Sequence, residues 1–176
     1  ELCIPGYLLG DTWEQLAFLR DCENWGKKII QLSQDICIVF GNVAVDWHKT
    51  DHSGRVRKYN ACFIAYQGKL WGGENYPYPF RIKTLQRNLR EFEDSRHFFS
   101  LSQLTAEMGM DIGELLQPVN LFIGGKTFHL GCLLSEDGWS DDYVIKPMAV
   151  MAKNSPVDLF VHISSSPFTT GINTQR

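Results

Sequence analysis

The first third of the chain changes from a helical pattern of apolar residues to a strand pattern. After Asp11, with Glu14 three residues later, apolar side chains recur mostly at helical spacing, which predicts a helix over residues 12–33 with Asp11 as its cap. The stretch DICIVFGNVAVDW at 35–47 is β-rich and nearly all apolar at its start, and YNACFIAYQGK at 59–69 has a similar character. Because the intervening KTDHSGRVRK is polar, the two strands are expected to form an antiparallel hairpin.

The rest of the chain alternates between helical and strand patterns. WGGENYPYPF at 71–80 predicts a long loop, since glycine and proline interrupt regular structure. SLSQLTAEMGMDIGELLQPV at 100–119 has a helical pattern broken by glycines, and a turn at Gly124 and Gly125 precedes the strand KTFHLGCLL. An amphipathic helix over 141–155 and the strand VDLFVHISSS follow. The order strand, helix, strand predicts an α/β crossover.

Composition narrows the classes of partner. A chain of 176 residues with 44% hydrophobic residues fits one domain with a real core. The net charge of -3, with lysines and arginines scattered among acids, predicts neither nucleic acid nor an anionic membrane as a partner. No apolar run reaches the length of about 18 residues that a membrane span needs.

The five cysteines have no paired C-x-x-C spacing, which indicates a reducing, cytoplasmic setting. His48 and His52 lie four residues apart on the predicted turn with no cysteine nearby, so a solvated turn is favoured over a metal site. Gly-Gly-Lys at 124–126 lacks the rest of a phosphate-binding loop. We therefore expect no metal and no cofactor.

The segment CLLSEDGW, which begins at Cys132, places polar residues where an apolar strand ends. In α/β sheets, reactive groups gather beyond the carboxyl ends of strands. Regular alternation would put Cys132 and Ser135 on opposite faces, so the cysteine could not replace the serine. On pattern alone, the favoured interpretation is that Glu136 and Asp137 cap the next helix and Trp139 packs on the sheet.

Four segments, in order, resemble the nitrilase, or carbon-nitrogen hydrolase, superfamily. GCLLSEDGW at 131–139 resembles its nucleophile motif G-x-x-x-C-E-D-x-W, with serine in place of cysteine. ELCIPGY at 1–7 is similar to P-E-L-x-x-x-G-Y, and KTLQRNLREFEDSRHF at 83–98 resembles K-T-L-L-P-N-Y-x-x-F-D-E-x-R-x-F. SSSPFTTGINTQR at 164–176 is similar to S-x-S-P-F-x-x-G-K-x-x-x-R, typical of the glutamine-hydrolysing domain of NAD synthetases. The resemblance implies an α/β fold, a four-layer α-β-β-α sandwich, with 1–176 as a single partial domain.

The resemblance also implies a catalytic set. Glu1 would be the general base, Lys83 the oxyanion stabiliser and Ser135 the residue at the nucleophile position, with the backbone amide of Glu136 as a second oxyanion donor. Without the motif, Lys83 would be interpreted as a solvated loop lysine and Glu1 as a frayed terminal carboxylate.

Further residues are implied to contact or support the substrate site. Asp94 would orient the lysine, although the family usually has the longer glutamate there. The residues implied to lie near the substrate are Tyr7, Glu136, Trp139 and Ser164. The ordinary alternatives are core aromatics for Tyr7 and Trp139 and a surface acid for Asp94.

Several positions depart from the family pattern. Ser135 is the most serious, because a serine hydroxyl is a far weaker acid than a thiol and usually needs a histidine base. Arg87 replaces a proline, Leu89 a tyrosine and Ile172 a lysine. Two explanations for Ser135 stay open: a deliberate substitution of cysteine to trap a complex, or natural loss of catalysis.

The implied function is amide hydrolysis, most like the glutaminase step that releases ammonia for an NAD synthetase domain in NAD biosynthesis. The implied partners are a small amide such as glutamine, a synthetase domain or subunit, and further copies of the chain in a homo-oligomer. Two alternatives are a free-standing amidase for another small amide and a catalytically inactive binding or scaffold module. The family domain normally extends beyond both motif edges, so we expect further elements and exposed sheet edges here.

Overall fold

The computed structural model describes residues 1–73, 75–88 and 93–165. The family departures at Leu89 and Ile172, and most of the fourth motif, lie outside the described residues. The helices are α1 (Leu16–Leu32), α2 (Asp94–His97), α3 (Leu101–Met108), α4 (Ile112–Leu115) and α5 (Pro147–Asn154). The strands are β1 (Ile38–Thr50), β2 (Val56–Tyr66), β3 (Lys69–Leu70), β4 (Arg81–Ile82), β5 (Val119–Ile123), β6 (Lys126–Leu134) and β7 (Leu159–Ile163). Short 3₁₀ helices cover Gly10–Glu14, Ser135–Gly138 and Ser140–Asp142.

The first sheet contains β1 to β4. β1 and β2 form the predicted antiparallel hairpin, with a regular register from Ile38 opposite Ala65 to Asp46 opposite Arg57. β3 and β4 both pair with β2 in the antiparallel direction. The predicted loop over 71–80 contains no helix or strand among its described residues, and it delivers the chain to β4.

The second sheet contains β5, β6 and β7 in that order. β5 and β6 form a hairpin whose turn residues, Gly124 and Gly125, have φ angles of 58° and 80°, which glycine adopts without steric cost. β6 and β7 are parallel and are joined through α5, so the predicted crossover is confirmed. Their carboxyl ends meet where Leu134 lies opposite Ile163.

The predicted start of the first helix is wrong. Residues 10–14 form a 3₁₀ helix, and α1 begins only at Leu16, after Gln15 as its N-terminal flanking residue. Asp11 does not cap it; its carboxylate accepts a hydrogen bond from Arg96 at 2.6 Å. The Glu14 carboxylate lies 2.6 Å from Lys58 Nζ on β2, so tertiary pairing outweighs the local capping pattern.

The amphipathic helix predicted over 141–155 is shorter than expected. α5 begins at Pro147, and residues 140–142 form a separate 3₁₀ turn. Proline lacks a backbone N–H and has a fixed φ, so it fits the first turn of a helix and is unfavourable in the interior. The helix consequently starts six residues later than predicted.

Clusters of buried side chains pack the two sheets against each other and pack helices against the first sheet. One buried cluster contains Cys62 and Ile64 from β2 together with Leu130 and Leu134 from β6, so side chains of the two sheets pack against each other. A second cluster packs side chains of α3, α4 and α5 against β2. The protein therefore has a mixed α/β fold with two sheets, as predicted. In the described part of the chain, no helix is long and apolar enough to cross a membrane.

Candidate active site

Lys83 is the centre of a buried charged cluster. Its backbone N–H donates to the carbonyl of Asn60 on β2 at 2.9 Å, which extends the pairing of β4 by one residue. Its side chain is only 2% exposed, and Nζ lies 2.7 Å from both Glu1 Oε1 and Asp94 Oδ2. The Tyr7 hydroxyl, at 3.2 Å, is its third partner. The solvated-lysine interpretation is therefore wrong, and one ammonium bridges two carboxylates.

The charges of this cluster fix its protonation. Burial opposes the charged form of Lys83, but the Asp94 and Glu1 carboxylates outweigh it, so the lysine pKa is raised and the ammonium persists at neutral pH. Burial and the Asp94 charge raise the pKa of the Tyr7 hydroxyl. The protonated hydroxyl donates to Asp94 Oδ1 at 2.7 Å and accepts from Lys83. All three ammonium protons thus have acceptors.

Glu1 is held by both sheets. Its Oε1 accepts hydrogen bonds from Lys83 and from Asn60 Nδ2, each at 2.7 Å. Its Oε2 accepts the backbone N–H of Ser165, which follows β7, at 3.2 Å. The residue is 8% exposed, so the interpretation of a frayed terminal carboxylate is wrong. No sequence pattern indicated Asn60, because its contact with Glu1 depends on strand pairing.

Asp94 occupies the first position of α2 and is 2% exposed, so it is not a surface acid. Its Oδ2 accepts from Lys83 and from the backbone N–H of Arg87 at 3.0 Å, while Oδ1 accepts from Tyr7. The shorter aspartate therefore reaches the lysine at 2.7 Å where the resembled family usually has glutamate.

Ser135 begins a turn immediately after β6. The strand ends at Leu134, and Ser135 has φ of 42°, in the left-handed region that only glycine adopts readily. The regular alternation considered for the sequence therefore does not extend to Ser135. A non-glycine residue in this region costs about 1–3 kcal/mol and persists only where the surroundings determine it. His162 Nε2 lies 2.9 Å from the Ser135 carbonyl oxygen, and the Ser135 hydroxyl makes no hydrogen bond to Glu1 or Lys83.

Asp137 connects the Ser135 turn to the two residues that follow Lys83. Its fully buried carboxylate accepts backbone N–H groups from Leu85 at 2.8 Å, from Thr84 at 3.1 Å and from Leu134 at 3.4 Å. Burial raises the pKa of this carboxyl to about 7, although the amides and the Lys83 charge oppose the shift. Asp137 lies inside the motif at 131–139, but the family resemblance implied no site role for it.

Glu136 and its neighbours border the cluster. Its Oε1 lies 3.2 Å from a terminal nitrogen of Arg87, and its Oε2 lies 3.4 Å from the Tyr143 hydroxyl, which donates to it. The Glu136 carboxylate also raises the pKa of Tyr7, after burial and the two nearer carboxylates. Glu136 therefore lies within electrostatic reach of the Tyr7 end of the cluster.

Trp139 and Ser164 lie at the same end of the second sheet. The half-buried Trp139 ring packs edge-on against His162 of β7, with ring centroids 5.6 Å apart. Ser164 directly follows β7, is exposed, and precedes Ser165, the backbone donor to Glu1. The structure thus places Glu1, Lys83, Asp94 and Tyr7 in direct contact and gathers the other predicted residues at the adjoining strand ends.

The arrangement has the parts of a polar reaction site. A buried carboxylate can accept a proton, and a buried ammonium can stabilise an oxyanion in a low-dielectric setting. Among residues 1–73, 75–88 and 93–165, no group of three histidine, cysteine, aspartate or glutamate side chains is arranged to hold a metal ion.

Comparison with known proteins bears on the fold. No protein-family model and no curated protein matches the sequence. The structure is similar to the crystal structure of a glutamine-dependent NAD(+) synthetase from Cytophaga hutchinsonii, with a TM-score of 0.61 and 16% sequence identity. The match covers 99% of this chain but only 25% of that chain, so this chain spans about a quarter of that enzyme's length. At this identity the likeness shows the fold.

Proposed function

We propose that the chain is an amide-hydrolysing domain of the carbon-nitrogen hydrolase type, acting as a glutaminase that supplies ammonia to an NAD synthetase domain or subunit. The observation that carries this proposal is the buried 2.7 Å contact between Glu1 and Lys83, beside the strained turn at Ser135. The four motif resemblances and the fold likeness to a glutamine-dependent NAD(+) synthetase support it.

A four-layer α-β-β-α sandwich and a single partial domain over 1–176 form part of the same proposal. The cluster that joins β2 to β6 supports the packing of one sheet on the other. The helices packed against β2 support an outer helical layer on that side. Further copies of the chain in a homo-oligomer are an expectation from the resemblance.

With a thiol at position 135, the proposed reaction proceeds in two halves. Glu1 accepts the thiol proton, the sulfur attacks the amide carbon, and Lys83 Nζ with the Glu136 N–H stabilises the oxyanion. Glu1 returns the proton to the departing nitrogen, which leaves as ammonia. Glu1 then takes a proton from water as that water attacks the thioester, and the carboxylate product leaves with the thiol restored.

The charge count of the cluster favours this use of Glu1. Lys83 carries one positive charge and contacts two carboxylates, Glu1 and Asp94, so the three residues carry a net charge of about -1 when ionised. Proton uptake by Glu1 leaves a neutral Lys83–Asp94 pair. Asp94 therefore keeps the ammonium in place while Glu1 gains and loses its proton. The Tyr7 hydroxyl holds Asp94 by donating a hydrogen bond to its other carboxylate oxygen, Oδ1.

Ser135 limits the reaction in the chain as it stands. A serine hydroxyl is a much weaker acid than a thiol, whose ordinary pKa is about 8.5. His162, the histidine beside Ser135, faces its carbonyl oxygen rather than its hydroxyl. The chain with Ser135 should therefore hydrolyse amides slowly, and Ser135→Cys should be the active form.

The test is ammonia release from glutamine by the native chain, by Ser135→Cys, and by Ser135→Cys combined with Lys83→Met. Lys58→Met in the Ser135→Cys background is the matched control, because Lys58 is also a buried lysine paired with a glutamate. We expect turnover only with cysteine, a loss on the order of 100-fold or more with Lys83→Met, and little loss with Lys58→Met. A folded Ser135→Cys variant that releases no ammonia from any simple amide would contradict the proposal.

Ser135 itself favours a second candidate, a catalytically inactive binding or scaffold module. In that case the fold and the charged cluster persist while the nucleophile is absent. Saturable glutamine binding by the native chain, with no turnover after Ser135→Cys, would support this candidate. A free-standing amidase would instead turn over other small amides faster than glutamine.

A further inference from the structure

Arg81 on β4 is a buried cation without an acidic partner in the described part of the chain. It is 7% exposed, yet no described aspartate or glutamate pairs with it. Arg57, which is 8% exposed, shows the usual arrangement, since its guanidinium lies 2.7 Å from Glu107. An arginine remains charged in proteins, and a buried charge without compensation is costly. Arg57 Nη1, like Arg81 Nε, makes no hydrogen bond within the described residues, so the difference between the two arginines is the missing acidic partner of Arg81.

The contacts of Arg81 leave much of its hydrogen-bonding capacity unused. Its terminal nitrogens donate to the carbonyls of Leu115 at 3.5 Å and Pro118 at 3.3 Å, longer than the common N–H···O distance of about 2.9 Å. The guanidinium lies over the Tyr76 ring at 4.2 Å, and Nε has no hydrogen-bond partner among the described residues. Burial lowers the pKa of Arg81, the direction expected for an incompletely compensated charge.

A polar cavity adjoins this guanidinium. It has a volume of about 340 Å³ and lies between the segment before β4, the start of β5 and the end of α5. Since one water takes about 30 Å³ of liquid volume, a small oxyanion fits there together with several waters. Its polar lining includes Arg81, Gln117, Asn120, His129 and Ser155.

The described acidic groups near the cavity make contacts with groups other than Arg81. Glu114 also lines it, but its Oε1 accepts the backbone N–H of Asp111 at 2.8 Å, and no ion pair joins it to Arg81. Asp158 lies 2.9 Å from His129 Nδ1. Among the described residues that line the cavity, no carboxylate therefore forms an ion pair with the buried Arg81.

We propose that this cavity binds a small oxyanion, a phosphate or carboxylate group, with Arg81 as its cationic anchor. The guanidinium at the cavity wall would compensate the charge of the oxyanion and donate a charge-assisted hydrogen bond to it. The site is separate from the charged cluster at Lys83 and does not depend on the proposed hydrolase activity. The identity of the anion decides whether phosphorylated or carboxylated small molecules are its ligands.

The test is isothermal titration of the native chain with inorganic phosphate and with acetate, against chloride at matched ionic strength. We expect saturable binding of at least one oxyanion, weakened by about 10-fold or more in Arg81→Gln. Arg57→Gln, which alters a buried arginine that already has a carboxylate partner, should bind like the native chain. Phosphate binding alone assigns a phosphate site, and acetate binding alone assigns a carboxylate site.

A second variant covers the case in which Arg81→Gln fails to fold. Asn120 is exposed at the cavity, so Asn120→Glu adds a negative charge there without touching Arg81. It should weaken binding by about 10-fold, while Asn120→Gln should not. The proposal is overturned if neither oxyanion binds saturably, or if the affinity is unchanged in a folded Arg81→Gln and in Asn120→Glu.

Discussion

Gly41 on β1 lies so close to the backbone of Glu1 that no side chain fits between them. A Cβ atom at Gly41 would lie 2.8 Å from Glu1 Cα and 2.5 Å from the backbone nitrogen of Leu2. The chain is tied there because the N–H of Cys3 donates to the Gly41 carbonyl at 3.0 Å. The position of the proposed base therefore depends on a glycine forty residues along the chain.

Gly41→Ala should displace Glu1 from Lys83. The methyl group would meet backbone rather than a flexible side chain, so the free energy of unfolding should fall by about 1–3 kcal/mol. In the Ser135→Cys background, glutamine hydrolysis should fall with it. Gly109→Ala is the control. It should lower stability because its φ of 67° is unfavourable for alanine, but its Cβ would contact no neighbouring atom. If Gly109→Ala lowers activity as much as Gly41→Ala, the close approach is irrelevant to the site.

Asp94→Asn should loosen the hold on the lysine ammonium. After burial, which opposes the charge, Asp94 makes the largest contribution that raises the pKa of Lys83, so its loss should lower that pKa. Removing one partner of a buried ion pair costs about 3–5 kcal/mol. The measurement is the pH profile of glutamine hydrolysis in the Ser135→Cys background. When Asp94→Asn is added, the alkaline loss of activity should move to a lower pH.

Asp94→Glu is the conservative comparison, since it keeps the carboxylate and matches the usual residue of the resembled family. It should retain most of the activity and the original alkaline limit. An unshifted alkaline limit in Asp94→Asn would show that Asp94 does not set the lysine charge.

Asp137 predicts a specific dependence of stability on pH. Its pKa is about 7 in the folded protein, against about 3.9 for an unfolded aspartate. Between these values the folded state binds more protons than the unfolded state, so the free energy of unfolding should fall as the pH rises. The slope should be at most about 1.4 kcal/mol per pH unit, and the effect should end above pH 7 or so.

The measurement is urea unfolding of the native chain and of Asp137→Asn across this pH range. The native chain should lose stability relative to the variant as pH rises from about 4 to about 7. Asp158→Asn is the control, because hydrogen bonds from His129 lower the pKa of the Asp158 carboxyl, so its own titration lies below about pH 4 and should add no slope over this range. Parallel curves for the native chain and Asp137→Asn would rule out a proton held by Asp137.

Ser135→Gly should stabilise the protein while removing the reactive position. Glycine adopts a φ of 42° without steric cost, so the free energy of unfolding should rise by up to about 1 kcal/mol. Ser140→Gly, in a nearby buried turn without a positive φ, should instead lower it. A loss of stability in Ser135→Gly equal to that in Ser140→Gly would show that the Ser135 turn holds no strain.

The sequence predicted elements whose signals are local. The β1–β2 hairpin and the β6–α5–β7 crossover followed from apolar runs separated by polar turns, and both are confirmed. The capping role of Asp11 was wrong, because Glu14 pairs with Lys58 across the fold. Local patterns contain no information about such distant partners.

The site residues likewise divide into those that a sequence motif indicates and those whose contacts depend on the assembled fold. Motif spacing singled out Glu1, Lys83 and Asp94, and the structure brings these three side chains together. Asn60 and Asp137 were not assigned to the site, since their contacts form only after β2, β4 and β6 assemble. Sequence patterns indicate the charged groups of the site, but they do not predict which backbone amides and carbonyls will contact them.

The most direct measurement of the central claim is the mass of the intact protein after acid quench of Ser135→Cys mixed with glutamine, with and without Glu1→Gln. If Glu1 is the base and position 135 the nucleophile, Ser135→Cys should show a glutamyl adduct on that cysteine, and the added Glu1→Gln should abolish its formation. Ammonia release without an adduct at position 135, or an adduct that forms equally fast in the presence of Glu1→Gln, would contradict the account.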